Sequence, residues 1–365
     1  MMKRRNICIT IHSLSSKGGE ERICTVLANS LSQSGYNVIV VTLEQHRNKH
    51  LAFPLEKAIK YYTLCGSRVE RKLFRVFSML PLLRYKRILA HNKIDVVIDV
   101  DIHQSLVTTK VTNGTGIKVI SWDHFNYERF PIRWSHDIML DCFKSGEVDK
   151  LVVLTKEDRR NFIEKEHLPE NFVEYIYNPS PIKSNEYISH NEKKVLSIGR
   201  LTEQKGFDLL LKAWELVEKE VEDWCLEIVG SGVDEDKLHK MIKDFNLKRV
   251  IVSSYTNDVR SKYMNASIYC LPSRTEGFGL VIIEAATMSV PSVAFACGGP
   301  NEIISDGENG FLVERENYEV MAEKLVQLMN DDGLRVKMSY KCFEMSREFS
   351  IDNIMSKWVR LIDSL

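Results

Sequence analysis

The sequence predicts an α/β fold made of two doubly wound domains. Three observations support this prediction: short apolar runs typical of buried strands, helical patterns between those runs, and a Pro-rich polar stretch near the middle of the chain. A length of 365 residues suits two domains, and either half is long enough to bury a core. The hydrophobic fraction of 44% is ordinary for a globular protein.

The first predicted domain spans residues 1–180. Its first strand, Ile7–Ile11, leads through a loop of small residues into a helical pattern that ends at Gly35. The strand signals are continuous rather than alternating, which indicates a parallel sheet covered on both faces. The remaining strands are predicted at Val38–Thr42, Val96–Val100, Lys118–Ser121 and Leu151–Leu154.

The second predicted domain, residues 181–348, repeats this scheme after a linker at Asn178–Glu186. A helical pattern covers Phe207–Val217. Ligands of such sheets bind beyond the carboxyl ends of the strands, so a cleft between the domains is the expected site. The strands are predicted at Val195–Gly199, Leu226–Val229, Val250–Val252, Ile268–Leu271 and Ser292–Phe295.

Composition excludes several classes of protein. The 50 basic and 50 acidic residues cancel, which argues against bulk nucleic-acid binding. No apolar run is long enough for a transmembrane helix, and the strand-like Ile7–His12 is too short for the apolar core of a signal peptide. The 8 cysteines form no C-x-x-C pair, which is typical of reduced, buried thiols. We therefore expect a cytoplasmic protein.

The segment Leu271–Ala286 (LPSRTEGFGLVIIEAA) has the strongest signal of a binding site. A strand runs into a loop with Gly277 and Gly279, and the loop opens a helix whose free N–H groups suit an anion such as a diphosphate. Glu276 and Glu284 could accept hydrogen bonds from sugar hydroxyls at the two ends of one ligand. An ordinary turn with two solvated glutamates would give the same pattern, so both interpretations stay open.

Two further loops follow predicted strands. Ile198–Gly206 carries Arg200 and Lys205, which could neutralise a phosphate pair as a leaving group departs, or could be ordinary surface residues. Lys17–Arg22 resembles a phosphate-binding turn. Neither this turn nor Val229–Gly232 has the G-x-G-x-x-G fingerprint, so a dinucleotide dehydrogenase is poorly supported.

Two other polar features remain ambiguous. His124 follows the strand at Lys118–Ser121 and could reach a ligand in the cleft, although a lone histidine is more often structural. Asp99 and Asp101 form an Asp-x-Asp triplet that looks like a known metal-binding motif, but no third ligand is apparent. We therefore expect neither a metal nor another cofactor.

Residues 68–93 form a basic stretch with eight Lys or Arg residues and one acidic residue, Glu70. Pro81 is expected to interrupt a helical pattern within it. Such a segment can lie on an anionic membrane, or it can pack on the sheet with a solvated basic face. The apolar residues at helical spacing are Leu73, Phe74, Phe77 and Leu80.

Taken in order, these segments resemble glycosyltransferase family 4, a family of retaining enzymes with the GT-B fold of two facing Rossmann-like domains. The resemblance spans nearly the whole chain. Gly18–Arg22 is similar to the family's first-loop motif, Gly199–Gly206 to its basic loop, and Glu276 with Glu284 to its paired glutamates. Gly298–Gly310 resembles the segment that follows.

The resemblance implies a role for each matching residue. Arg200 and Lys205 would bind the donor diphosphate, Glu284 the ribose, and Glu276 the transferred sugar, with His124 close to that sugar. Of these, His124, Arg200, Lys205 and Glu276 would form the catalytic set. Residues 349–365 resemble the family's last helix, which crosses back to the N-terminal domain. The other donor-binding residues would be Gly19, Gly277, Phe278, Gly279, Leu280 and Val281.

The function implied is retaining transfer of a hexose or N-acetylhexosamine from a nucleotide-sugar, with UDP favoured, to a glycan acceptor. Ile176–Pro179 and the basic stretch resemble enzymes that extend lipid-linked glycans, which favours such an acceptor in cell-surface polysaccharide synthesis. Three alternatives remain. A nucleotide-sugar epimerase would need no acceptor, a phosphorylase would need lysine-bound pyridoxal phosphate, and a non-catalytic protein would only bind the nucleotide-sugar.

Overall fold

The computed structural model describes residues 4–44, 51–65, 79–131 and 135–365. The chain divides into two compact units. The first comprises Met1–Pro181 together with Ile351–Leu365, and the second comprises Ile182–Ser350. All 8 cysteines are free thiols, as predicted.

The first unit contains a seven-stranded sheet in which all the strands are parallel. Its strands are β1 Asn6–Ile11, β2 Asn37–Glu44, β3 Lys60–Cys65, β4 Val96–Val100, β5 Lys118–Trp122, β6 Lys150–Val153 and β7 Val173–Tyr175. They lie in the order β3-β2-β1-β4-β5-β6-β7. The chain reverses its direction of progress between β1 and β4, so ligands are expected at the carboxyl ends of these two strands.

Helices lie between most consecutive strands of this sheet, as is usual for crossover connections between parallel strands. Gly35, just beyond the first helix, has φ 85°, a left-handed conformation that glycine adopts without strain. The helices of this part of the chain are α1 Gly19–Gln33, α2 Met79–His91, α3 Ile102–Thr112, α4 His136–Lys144 and α5 Lys156–Lys165, with a 3₁₀ turn at Tyr127–Arg129.

The second unit contains a six-stranded parallel sheet. Its strands are β8 Lys194–Ile198, β9 Cys225–Val229, β10 Val250–Ser253, β11 Ile268–Leu271, β12 Ser292–Phe295 and β13 Gly310–Val313. Their order is β10-β9-β8-β11-β12-β13, which places the reversal between β8 and β11. The two chemically suggestive loops of this unit follow those two strands.

Helices again cover this sheet, and the apolar side of α6 forms much of the core around the fully buried Trp214. The helices are α6 Phe207–Glu220, α7 Glu235–Asp244, α8 Val259–Met264, α9 Leu280–Thr287, α10 Pro300–Ile303, α11 Tyr318–Asn330 and α12 Asp332–Ser346. The 3₁₀ turns are Glu203–Lys205 and Arg347–Phe349.

The last helix, α13 Ile351–Ser364, belongs to the first unit and packs on α1. The Trp358 ring lies edge-on to that of Trp122, with the ring centroids 4.9 Å apart, and both side chains are buried. The Tyr36 hydroxyl donates a hydrogen bond to the Asp363 carboxylate at 2.9 Å. The C-terminal residues thus complete the core of the N-terminal unit.

Every predicted strand is present, and the predicted α/β class with two parallel sheets is confirmed. Three strands were not predicted, namely β3, β7 and β13. Within the described ranges, no helix combines the length and the apolar character needed to cross a membrane.

The basic stretch is described in part. Residues 68–78, with the predicted apolar positions Leu73, Phe74 and Phe77, lie outside the described ranges. Pro81 lies in the first described turn of α2, and most of the helical pattern that it was predicted to interrupt lies outside the described ranges. Proline is tolerated there, since the first N–H groups of a helix have no partner within it.

Candidate functional site

The loops after β8 and β11 lie side by side. The two strands are hydrogen-bonded neighbours, with Ile268 opposite Val195 and Tyr269 opposite Leu196. The backbone N–H of Arg274, in the loop after β11, donates to the carbonyl of Gln204, in the loop after β8, at 2.9 Å. The fold therefore brings together two motifs that are about 70 residues apart in the sequence.

Lys205 and Glu276 form an ion pair across these loops, with Nζ 2.6 Å from Oε1. The Ser273 hydroxyl donates to the same oxygen at 2.7 Å. Glu276 is buried and the Lys205 side chain is 18% exposed, so water screens this pair less than it would a surface pair. Glu276 is therefore not a solvated glutamate, contrary to one of the two interpretations that its motif allowed.

Arg200 differs from Lys205 in its surroundings. Its side chain is exposed. Within the described ranges, no ion pair or hydrogen bond engages the Arg200 guanidinium. It is thus a cation beside the carboxyl end of β8 whose charge is available to an anion.

The start of α9 has the features of an anion-binding helix terminus. Its N-cap, Gly279, has φ 85° and no side chain that could cap the helix. Gly277, Leu280 and Val281 are half-buried, whereas Phe278 is buried and packs near Phe349, with ring centroids 6.0 Å apart. The first N–H groups of such a helix can donate to an approaching anion.

Glu284 lies in the second turn of α9 and is 3% exposed. The Tyr263 hydroxyl lies 3.0 Å from Glu284 Oε2 and 3.1 Å from the Val281 carbonyl oxygen. A buried carboxylate held in this way is built for hydrogen bonding rather than for solubility. Sequence reasoning missed Tyr263, because no motif links α8 to α9.

His124 follows β5 in the first unit and is 9% exposed. Its ring centroid lies 4.2 Å from that of Trp122. Burial lowers the pKa of His124 from 6.5 to about 3, although the negative charge of Asp101 opposes this shift. The Nε2 atom has no hydrogen-bond partner within the described residues, and an unpaired buried polar atom of this kind commonly marks a place where a ligand or water binds.

Gly19 is the first residue of α1, at the carboxyl end of β1. A Cβ atom placed on Gly19 would meet no other atom within 4 Å, so the space beside it is open. The N-cap residue Gly18 has no side chain that could cap this helix. Gly19 and His124 thus follow strands of the first sheet, whereas the other candidate residues belong to the second unit.

The two aspartates of the Asp-x-Asp triplet have separate structural tasks. Asp99 is fully buried and accepts hydrogen bonds from the hydroxyls of Thr10, Ser105 at 2.9 Å and Thr108 at 2.7 Å. Asp101 caps α3 by accepting from its backbone. In the part of the chain that is described, no group of three potential His, Cys, Asp or Glu ligands could hold a metal ion.

Comparisons with known proteins agree with this architecture. Residues 180–345 match the family described as glycosyl transferases group 1, and residues 17–182 match glycosyltransferase family 4. The chain is 33% identical over 358 residues to an uncharacterized glycosyltransferase of Haemophilus influenzae, covering 97% of this chain and 99% of that protein.

Two further relatives have more informative names. An undecaprenol-linked glycan α-1,4-N-acetyl-D-galactosaminyltransferase of Campylobacter jejuni is 26% identical, over 99% of this chain and 98% of its own. The crystal structure of Staphylococcus aureus TarM with UDP, fondaparinux and α-GlcNAc-glycerol has a TM-score of 0.82 and 19% identity, and covers 98% of this chain and 99% of that chain. The chain therefore belongs to glycosyltransferase family 4 and has the GT-B fold.

Proposed function

We propose that this glycosyltransferase is a retaining enzyme that transfers a hexose or N-acetylhexosamine from a UDP-sugar to a lipid-linked glycan in cell-surface polysaccharide synthesis. The observation that carries the proposal is the meeting of Lys205, Glu276 and the start of α9 at the reversal point of the second sheet. The UDP bound to TarM and the undecaprenol-linked acceptor of the Campylobacter jejuni relative support the choice of donor and acceptor.

The donor diphosphate would bind between the two loops. The Arg200 guanidinium and the Lys205 ammonium supply positive charge, and the uncapped start of α9 supplies N–H groups. The Lys205 ammonium and the N–H groups of α9 are held in place before the reaction, so they stabilise the charge that develops on the departing diphosphate, and the Arg200 cation adds to this effect.

The two buried glutamates would bind the neutral parts of the donor. Glu284 would accept hydrogen bonds from the ribose, with Tyr263 fixing its carboxylate. Glu276 would accept one from a hydroxyl of the transferred sugar. Because Glu276 also binds Lys205, a single ion pair would join the sugar end of the site to the phosphate end.

His124 and Gly19 of the first unit would border the transferred sugar. The low pKa of His124 keeps the imidazole neutral, so Nε2 can hydrogen-bond to a sugar hydroxyl without adding charge. The open space beside Gly19 leaves room for an acceptor or for the sugar itself.

The proposed reaction needs no covalent enzyme intermediate. The bond between the sugar's anomeric carbon and the diphosphate oxygen breaks, and its electron pair stays on the diphosphate. The acceptor oxygen bonds to the same face of the anomeric carbon, and its proton passes to an oxygen of the leaving diphosphate. Retention of configuration follows from attack on that face.

A turnover assay with analysis of the product tests this proposal. The purified chain is incubated with UDP-glucose, UDP-galactose, UDP-GlcNAc or UDP-GalNAc and an undecaprenyl-diphosphate-linked glycan. We expect UDP release that depends on the acceptor, and NMR should show an anomeric configuration identical to that of the donor. An inverted product would contradict the mechanism, an altered UDP-sugar without acceptor would indicate an epimerase, and binding without turnover would indicate a non-catalytic protein.

We further propose that α2 contacts an anionic membrane, which would place the enzyme on the inner face of the plasma membrane. Its exposed face combines Met79, Leu80 and Leu83, which are 67%, 75% and 46% exposed, with the exposed cations Lys86 and Arg87. Large apolar side chains beside cations favour a surface of acidic lipids. A lipid-linked acceptor would be available at the same surface.

A further inference from the structure

Arg274 and Asp208 form a bidentate ion pair beside the donor loops. The Arg274 Nη1 and Nη2 atoms lie 2.9 and 3.0 Å from the two carboxylate oxygens of Asp208. Their side chains are 22% and 17% exposed. Burial alone would raise the pKa of Asp208, but the hydrogen bonds and positive charge of Arg274, together with the charge of Lys237, outweigh it and hold this pKa below its usual value. Such a fork fixes orientation as well as distance.

This fork joins the two loops that carry the donor-site residues. Asp208 is the second residue of α6, which follows the loop of Lys205, and Arg274 lies in the loop of Glu276. The Arg274 Nη1 atom also donates to the carbonyl oxygen of Glu203 at 2.7 Å. The guanidinium thus hydrogen-bonds to residues on both sides of Lys205, namely Glu203 and Asp208.

Backbone contacts reinforce the junction. The N–H of Arg274 donates to the carbonyl of Gln204 at 2.9 Å, and Gln204 Nε2 donates to the carbonyl of Thr275 at 3.1 Å. Gly206, next to Lys205, has φ 66°, and a Cβ atom there would lie 2.0 Å from the Pro272 carbonyl oxygen. The loops are therefore in direct contact, and a small shift of one would displace the other.

Arg274 itself is not available to a phosphate. Besides Asp208 and Glu203 it contacts Glu316, with Nε 3.5 Å from the carboxylate. Arg200, in contrast, has an exposed guanidinium with no ion pair in the described ranges. Of the two arginines near the donor loops, Arg200 is the one that can bind substrate. The Arg274 guanidinium is already bound by Asp208, Glu203 and Glu316.

We propose that Asp208 and Arg274 are positioning residues, a clamp that holds Lys205 against Glu276 and thereby sets the geometry of the donor site. The pair touches neither substrate nor reacting atoms. This inference rests on the proposed function, in which Lys205 binds the donor diphosphate. Precise placement has a large effect, since a displacement of about 1 Å can lower a rate roughly 100-fold.

The position of Lys205 can be measured without any ligand. Crystal structures of Asp208→Asn and Arg274→Lys should show Lys205 Nζ displaced from Glu276 Oε1 by more than about 1 Å, because neither variant can form the charged fork. An unchanged Lys205–Glu276 contact in both variants would overturn the clamp. Because one substitution lies in helix α6 and the other in the loop after β11, a folding failure in one leaves the other decisive.

A double-mutant cycle measures the functional consequence, with UDP as the calorimetric probe. We expect Asp208→Asn to weaken UDP binding about tenfold in the wild-type background and less than about twofold in a Lys205→Ala background, since it acts through Lys205. Equal losses in both backgrounds would mean that the clamp does not act through Lys205, and would overturn this inference.

Glu218→Gln is the matched control. Glu218 lies on α6 as Asp208 does, and accepts hydrogen bonds from the backbone N–H groups of Lys248 at 3.0 Å and Arg249 at 2.8 Å. Glu218→Gln should lower the melting temperature, but its effect on UDP binding should be the same in the wild-type and Lys205→Ala backgrounds. If wild-type protein binds no UDP, the proposed function fails, while the Lys205–Glu276 distance in the unliganded variants still decides whether the clamp exists.

Discussion

At the scale of single residues, burial determines the charge of His124. The imidazole is almost fully enclosed, so the protonated form loses its hydration and the pKa falls to about 3. At neutral pH the ring therefore carries no charge and offers one unpaired nitrogen, Nε2. The position of His124 just after a strand was predictable from the sequence, but the burial that keeps its ring neutral was not.

This shift predicts how stability depends on pH. The pKa in the folded state is below the 6.5 of the unfolded chain, so the contribution of His124 is fully present above about pH 6.5 and is lost as the pH falls toward 3. Wild-type protein should lose up to about 1.4 kcal/mol of unfolding free energy per pH unit through this group. Urea unfolding at pH 7, 6 and 5 should show a shallower decline in His124→Gln, and equal slopes would refute the assignment.

Contacts between distant residues explain what sequence reasoning missed at the site. The motifs that carry Lys205, Glu276 and Glu284 were recognisable because each is a local pattern after a strand. Tyr263 and the Asp208–Arg274 fork depend on how separate loops and helices meet, and no local pattern encodes that. From the sequence alone, Tyr263 and Asp208 could equally be ordinary surface residues.

At the scale of elements, strand length and burial decide what can be predicted. The strands buried on both faces, such as β4 and β12, show continuous apolar runs. The missed strands lack this signal: β3 is half-exposed and begins with lysine, β7 has three residues, and β13 begins at a glycine. The three residues of β7 are too few for a periodic pattern to emerge.

Helix α2 is the element whose surface suggests a membrane. We expect the protein to cosediment with vesicles rich in phosphatidylserine at low salt. Replacing Lys86 and Arg87 by Glu should weaken cosedimentation at least tenfold, because each cation near an anionic surface contributes about 1 kcal/mol.

Lys240→Glu with Lys243→Glu, on α7 in the other unit, makes the same change in net charge and serves as the control. It should leave vesicle binding largely intact. Equal losses in the two double variants would attribute binding to net charge alone, and no binding of wild-type protein would exclude the membrane contact.

At the scale of the whole molecule, the strand orders place a reversal in each sheet, between β1 and β4 and between β8 and β11. The residues singled out from the sequence follow strands of these sheets: Gly19 follows β1, Lys205 follows β8 and Glu276 follows β11. Alternating strand and helix signals were enough to predict two such sheets. Strand order was not predictable, because it depends on contacts between elements far apart in the sequence.

The C-terminal helix shows the same limit at this scale. The resemblance to the family's last helix predicted a helix here, and its Trp358 packs against Trp122 in the middle of the chain. The resemblance to family 4, rather than any physical pattern in α13, implied that the helix crosses back to the first unit.

If the loops after β8 and β11 bind the donor, replacing their charged side chains should slow the release of UDP from the UDP-sugar. Release of UDP is followed for wild-type protein, Lys205→Ala and Glu284→Gln, each with the UDP-sugar that the wild type consumes fastest. Lys193→Ala, which removes an exposed ion pair of the same unit, is the control. We predict a loss of about 100-fold or more in both site variants, with unchanged circular dichroism, and a near wild-type rate in the control. Near wild-type rates in both site variants would show that these loops do not bind the donor.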